Sequence, residues 1–418
     1  MNDYFSQYKE LKKILKFREN DIEFEFPMAI EVMSVAHKEK INLFKIIVSF
    51  FFVYNFPKAI KNIKNQRILF SDAYERKEYS RLLQIIRQNV GDNSHIHFRN
   101  IDLIPHFNLK IIISSIGFSF KVLSGKVSLK NTFYIASRLT FYRNCLSVLQ
   151  HVDNTTPFQL KKYIAFNGQY GIEALLAQFF KQKGVETYTL THGKSYVNYK
   201  KTIPQDIING ENISVDKVLV WGNSGKKELI ENFGIPEKNV IVAGNLNYPS
   251  KKINVKQTFK NGIILLGRKI YDEGNKDILR IAEEVALSQG IKFSVRLHPS
   301  LSYEIYSNLC KSSLLSLTNN EVSLQEMFLA GQYDFAIVNN STTYYESMYH
   351  NMVCLRYEPD ENEQYEGLDD KFGDSKTFYE RISFFQKIDN KLLNEKINKL
   401  LSDNLGMGIN RYKEILGK

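Results

Sequence analysis

Apolar positions along the chain follow two registers. Short runs of β-branched and aromatic residues occur at 67–71 (RILFS), 95–98 (HIHF), 163–166 (YIAF), 187–191 (TYTLT), 217–221 (KVLVW) and 240–243 (VIVA). Runs of that length between turn residues predict strands. Segments of helical period lie between them: in 171–183 (GIEALLAQFFKQK), Ile172, Leu175, Leu176 and Phe179 share one face. A polar, lysine-rich stretch at 249–261 interrupts this series, and a second begins, with strands expected at 262–266, 292–297, 314–317, 335–338 and 352–356 and helices at 275–288 and 323–330. Strands alternating with helices predict an α/β fold with parallel sheets. The pattern predicts an N-terminal domain over 1–250, a C-terminal domain over 251–388, and a helical segment at 389–418 that packs back on the first domain.

Composition narrows the classes. A chain of 418 residues, 43% hydrophobic and 24% charged, has the statistics of a globular two-domain protein. Its 56 Lys and Arg exceed 45 Asp and Glu, a net charge of +11 that suits a phosphorylated ligand or an anionic surface. No nucleic-acid motif accompanies that charge, so no nucleic-acid partner is expected. Cys145, Cys310 and Cys354 are far apart and lack a C-x-x-C spacing, which argues against a disulfide framework. The N-terminal residues 1–17 lack the apolar core of a signal peptide, so a cytoplasmic location is expected. The longest apolar run, Ile46 to Phe56, has 11 residues, about half of the ~20 a spanning helix needs. Residues 38–64 around it carry six Lys and one Glu. The segment reads either as a buried helix with solvated lysines or as a peripheral contact with an anionic membrane face.

The candidate chemistry sits where strands end, because ligands of doubly wound sheets bind there. The first strand of the second series runs into Gly267-Arg268-Lys269-Ile270-Tyr271-Asp272-Glu273-Gly274; the next ends in Arg296-Leu297-His298-Pro299-Ser300. The fourth ends in Asn339-Asn340-Ser341-Thr342-Thr343, with Glu346 one turn into the following helix. Hydroxyls at a helix start are placed to hold phosphate, His298 to donate to the same phosphate, and Glu346 to accept from sugar hydroxyls. Each element has a plainer use as turn residue or cap; their joint order points to a nucleotide site. ATP loops, nucleophile elbows and H-E-x-x-H helices are absent. His95 and His97 alternate on a strand with no carboxylate or cysteine cluster nearby in sequence to complete a metal site.

Gly267 to Gly274, followed by His298-Pro299 and Ser341-Thr342, resembles the acidic-acidic-Gly, His-Pro and Ser/Thr signatures of bacterial sialyltransferases. LLGRKIYDEG precedes the His-Pro pair as in their lipooligosaccharide-type branch, with Arg268-Lys269 where Gln-Pro is usual. Thr191-His192-Gly193 resembles the corresponding strand end of teichoic-acid glycerophosphotransferases and capsule Kdo transferases. The resemblance spans about residues 163–357. It implies the GT-B architecture, two Rossmann-like doubly wound domains facing across a cleft, and a nucleotide-activated donor, with a CMP-sugar such as CMP-sialic acid favoured and a UDP-sugar as the other choice.

The expected activity is transfer of a sugar to a glycan or lipid-linked acceptor in capsule or lipopolysaccharide synthesis. His298, Ser341 and Thr342 would stabilise the leaving phosphate, with help from Arg268, Lys269 or Arg296, and Gly267, Pro299, Thr343 and Glu346 complete the expected donor site, Glu346 toward ribose or sugar hydroxyls. With such donors no metal and no cofactor is expected, the nucleotide-sugar being a co-substrate. His192 is the expected base, its ordinary pKa near ~6.5 suiting proton abstraction, with Asp272 or Glu173 as substitutes. The acceptor would meet the basic, aromatic stretch 99–162, including Lys121, Lys126, Lys130, Arg138 and Arg143. A nucleotide-sugar 2-epimerase, a CDP-glycerol-type glycerophosphotransferase and a noncatalytic glycan-binding subunit remain as alternatives.

Overall fold

The computed structural model describes residues 4–60, 63, 66–74, 77–155, 157–191, 207–248, 251–310, 312–318, 321–339, 341–359, 367–406 and 408–417. It divides into two units: residues 1–221, 225–246 and 409–418 form the first, and 222–224 with 247–408 the second.

The first unit is built on six parallel strands: β1 (Ile68–Asp72), β2 (Asn93–His97), β3 (Lys162–Ala165), β4 (Glu186–Leu190), β5 (Lys217–Val220) and β6 (Val240–Val242). Their order across the sheet is β6-β5-β4-β3-β1-β2. The central strands are buried along nearly their whole length, as strands covered on both faces must be. The second unit repeats the plan with β7 (Asn261–Leu265), β8 (Lys292–Arg296), β9 (Leu315–Leu317), β10 (Phe335–Val338), β11 (Val353–Tyr357) and β12 (Lys371–Phe372), in the order β9-β8-β7-β10-β11-β12. Every strand the hydrophobic pattern predicts is present, within one or two residues at each end. The fold is α/β with two doubly wound parallel sheets, the pair of Rossmann-like sheets found in GT-B proteins. The order in which strands are added reverses between β1 and β3 in the first sheet and between β7 and β10 in the second. These switch points are where a crevice opens at the carboxyl ends of the strands.

Between β2 and β3 the first unit inserts two helices, Leu109–Leu123 and Leu129–Thr155, the second 27 residues long. Sixteen residues of that long helix are buried, so apolar residues run around it and no single stripe marks it in the sequence. Arg138 and Arg143, expected at an acceptor surface, point inward instead. Arg138 Nε donates to Glu31 Oε1 at 2.9 Å, and Arg143 grips Glu19 through Nε (2.7 Å) and Nη2 (2.8 Å). A buried guanidinium needs a carboxylate partner, so these pairs hold the helical layer together.

The C-terminal tail serves both units. Helix Asn390–Leu405 stays in the second, where the Asn398 side chain accepts from Ile253 N–H (2.9 Å) and donates to Ile253 O (3.0 Å). Helix Ile409–Leu416 belongs to the first: Lys162 Nζ donates to Ile415 O (2.9 Å) and Leu416 O (3.2 Å), a cation satisfying the last carbonyls of a helix. Among the described residues no helix is long and apolar enough to cross a membrane.

Candidate functional site

At the switch point of the second sheet, three strand ends are tied together by side chains. Asn275, fully buried in helix Asp272–Gln289, accepts from Gly267 N–H at 2.8 Å and returns an N–H to Gly267 O at 2.9 Å. The same Asn275 Oδ1 accepts from Asn339 Nδ2 at 2.9 Å, joining the end of β7 to the end of β10. Gly267 has no room for a side chain: a Cβ there would stand 2.6 Å from Asn339 O. Ser300 makes the other link. Its hydroxyl accepts from Lys269 N–H at 3.1 Å and lies 2.8 Å from His298 Nδ1, which also accepts from Ser300 N–H at 3.1 Å. An Nδ1 that accepts a backbone N–H leaves the ring proton of neutral His298 on Nε2, where it can be donated. Pro299 is exposed beside it. Asn275 and Ser300 escaped the sequence reading because each acts through hydrogen bonds to another loop, which no local spacing announces.

Arg268 leads the β7 loop with its guanidinium 6.0 Å from the Tyr271 ring. Asp272 opens the following helix, accepting from Tyr306 OH at 2.7 Å and pairing with Lys276 Nζ at 2.6 Å. The Lys276 and Tyr306 hydrogen bonds hold its carboxyl below the usual carboxylate range. At the end of β10, Ser341 Oγ accepts from Thr343 N–H at 3.3 Å, so this hydroxyl serves as a cap, while Thr342 occupies the cap position with no side-chain cap bond. Thr343 Oγ1 is buried without a partner, and Glu346 is half-buried in the first turn of the seven-residue helix Thr343–Tyr349. Beneath that helix Arg356 and Asp370 form a buried pair at 2.6 Å, with the Tyr344 ring 4.8 Å from the guanidinium. A separate cavity of about 500 Å³ in this unit is lined by Phe384, Leu393, Lys396 and Lys399 among others, and by none of the expected donor-site residues.

At the switch point of the first sheet, Glu173 is 1% exposed. Its Oε1 accepts from Phe166 N–H (2.8 Å), Asn167 N–H (3.3 Å) and Ser71 OH (3.1 Å), while Oε2 is buried without a partner. Burial pushes this carboxyl up to about 7 despite those hydrogen bonds, so it carries a proton over most of the acid range. Asp72, at the end of β1, is wholly buried and meets both histidines of β2: His95 Nε2 at 3.0 Å and His97 Nδ1. The carboxylate that the sequence did not place near His95 and His97 thus arrives from the neighbouring strand, paired in register Asp72 to His97. Among the described residues no group of three or more His, Cys, Asp or Glu is arranged to hold a metal ion. The end of β4 is pinned, with Thr191 N–H donating to Leu219 O (3.1 Å) and Trp221 Nε1 to Thr191 O (3.0 Å). His192 and Gly193, which follow, lie outside the described residues.

No family model and no curated protein matches the chain. Among solved structures it is similar to the UDP-GlcNAc 2-epimerase of Neisseria meningitidis, with 15% identity over 84% of this chain and 98% of that one and a TM-score of 0.48. The UDP-GlcNAc 2-epimerase of Methanocaldococcus jannaschii in complex with UDP-GlcNAc and UDP aligns at 13% identity over 84% and 98%, TM-score 0.49. A lipopolysaccharide outer core galactosyltransferase, WaaB, aligns at 12% identity over 84% and 98%, TM-score 0.48.

Proposed function

We propose that the chain is a metal-independent glycosyltransferase. It takes a sugar from a nucleotide-activated donor, a CMP-sugar in preference to a UDP-sugar, and transfers it to a glycan or lipid-linked acceptor of a bacterial capsule or lipopolysaccharide at the cytoplasmic side of the membrane. One observation carries this reading: the Gly267, His298 and Asn339 strand ends are laced together at a sheet switch point by Asn275 and Ser300. That lacing supports a phosphate-binding role, because it fixes the strand ends that carry an Nε2–H donor on His298 and the hydroxyls after Asn339, groups that a leaving phosphate needs. The preference for CMP rests on the sialyltransferase-like motifs.

In this mechanism His298 Nε2–H and the Ser341 and Thr342 hydroxyls hold the departing phosphate, and Arg268 adds positive charge. His192 is the first choice for the base that takes the acceptor proton. The buried Glu173 suits the substitute role less well, since its carboxyl is engaged in fixing the turn after β3. A thermal-shift screen against CMP, CDP, UDP and GDP tests the reading, because a ligand that binds only the folded chain raises its stability. Stabilisation by none of the four would refute it. Epimerised donor accumulating without acceptor would make the chain a 2-epimerase.

A further inference from the structure

We infer that the face of the first unit formed by residues 43–51 and 103–133 docks on an anionic lipid bilayer. Every exposed large hydrophobic side chain described in the first unit falls in these two stretches. Phe44 is 70% exposed, Phe107 65%, Leu129 63% and Ile113 61%, with Leu43, Ile47, Phe51, Leu103, Leu109 and Phe133 beside them in the sequence. In the second unit the exposed hydrophobics are spread along the chain, with only Tyr303, Ile305 and Leu309 close together around one short helix.

The elements make this a continuous face. Helix Leu43–Phe51 buries Ile46 and Ser49, and turns Leu43, Phe44, Ile47 and Phe51 outward on one arc of about 100°. It ends at Phe52, where the chain becomes a short strand, Phe52–Tyr54, paired antiparallel with Leu103–Pro105. The apolar run that sequence reads as one segment is therefore a helix and a strand, and only part of it is core. Across the pairing, the Phe51 and Phe107 rings stack at 6.0 Å. Helix Leu109–Leu123 carries the surface on through Leu109 and Ile113, and Phe120 meets Phe133 edge-on at 5.2 Å at the start of the long helix.

Charge names the occupant. Residues 40–51 and 103–133 contain six lysines, Lys40, Lys45, Lys110, Lys121, Lys126 and Lys130, and no Asp or Glu. Lys45 donates to Tyr134 OH at 3.3 Å, and the other five are exposed. Glu39 and Asp102 flank the two stretches, Asp102 paired with Lys58 at 2.7 Å. A protein partner is ordinarily met by both signs of charge at an interface rim; an apolar face whose own segments carry lysines and no carboxylate matches anionic headgroups over acyl chains. Docking stands on these residues alone. Only its use, to present a lipid-linked acceptor, rests on the transferase reading.

The test is flotation of the full chain with vesicles of phosphatidylglycerol and phosphatidylcholine against vesicles of phosphatidylcholine alone. The chain is expected to float with the anionic vesicles, and less so as salt rises. The double variant Phe44→Ser/Ile113→Ser should lower partitioning by about tenfold or more. Lys126→Glu/Lys130→Glu should lower it by about fivefold or more per lysine. Thermal unfolding and the nucleotide thermal shift, read on the same variants, should match the parent. Failure of the parent to float, or flotation that both variants leave unchanged, overturns the proposal. So does a parent dimer that Phe44→Ser/Ile113→Ser converts to monomer with no vesicle binding by either, which would assign the face to a second copy of the chain. Vesicle binding without any nucleotide shift would remove the transferase reading and leave the surface standing.

Discussion

Glu173 in the first unit and Asp272 in the second both stand in the first turn of a helix that follows a strand at a sheet switch point, a place where the helix dipole favours a negative charge. Their carboxyls shift in opposite directions. Asp272, 37% exposed, keeps its charge through Lys276 and Tyr306, whereas Glu173 is sealed from water and pushed up to about 7. The same local position thus gives an ionised group or a mostly protonated one, according to how much water the surrounding layer admits. The comparison separates two settings: a dry edge of the first sheet that keeps a carboxyl protonated toward neutrality, and a wetter edge of the second that keeps one ionised.

The largest effect expected from breaking this division is on turnover. His192→Ala should lower it by about 10²- to 10⁴-fold with little change in nucleotide affinity, measured by steady-state kinetics beside equilibrium binding. Asp272→Asn run alongside would prove the more damaging change if a sialyltransferase-like base operates. If His192→Ala stays active, His97, whose ring Asp72 holds from the buried side, is the next histidine to substitute.

A smaller effect concerns stability against pH. The Glu173 carboxyl is raised from 4.5 to about 7 in the folded chain. On account of this group the folded state binds more protons than the unfolded chain across that window, so the stability Glu173 contributes is greatest below about 4.5 and declines toward 7. The decline attributable to this one group is on the order of 3 kcal/mol, and Glu173→Gln, which cannot ionise, should flatten it. Denaturant unfolding at several pH values checks this, and an unchanged slope in the variant would remove Glu173 as the cause.

On the second sheet, His298→Ala and Thr342→Ala should each weaken nucleotide binding while leaving the fold intact. Loss of one hydrogen bond to a charged phosphate costs roughly 1.5–3 kcal/mol, or about ten- to a hundredfold in affinity. Titration calorimetry decides it, and affinities equal to the parent's would take the phosphate away from this edge. The smallest effect is Asp272→Asn on stability. Its carboxyl is held low, so it stabilises the fold above its ordinary 3.8 and loses that contribution as the solution turns more acidic. Because the group is partly solvated, the loss should be under about 1 kcal/mol at neutral pH, seen as a small change in denaturant midpoint.

Much of this architecture was legible in the chain itself. The alternation of short β-rich runs with helical segments determined the eleven expected strands and the α/β class, because burial on both faces of a parallel sheet demands those runs. The motifs at Gly267, His298 and Ser341 fall just after β7, β8 and β10, the strand ends where ligand chemistry on such sheets is expected. Tertiary structure decided the rest. Whether Arg138 and Arg143 faced a ligand or a buried carboxylate depended on Glu31 and Glu19, more than a hundred residues away. Whether residues 43–56 were core depended on the break at Phe52 and on the strand at 103–105 that receives it. Asn275, Ser300 and Asp72 gained their roles only when separate strand ends came together, and Glu173 became protonatable near neutrality only when the first unit closed over it. Local pattern follows from each residue's own preference for water or apolar surroundings; pairing and pKa follow from which distant groups share its space.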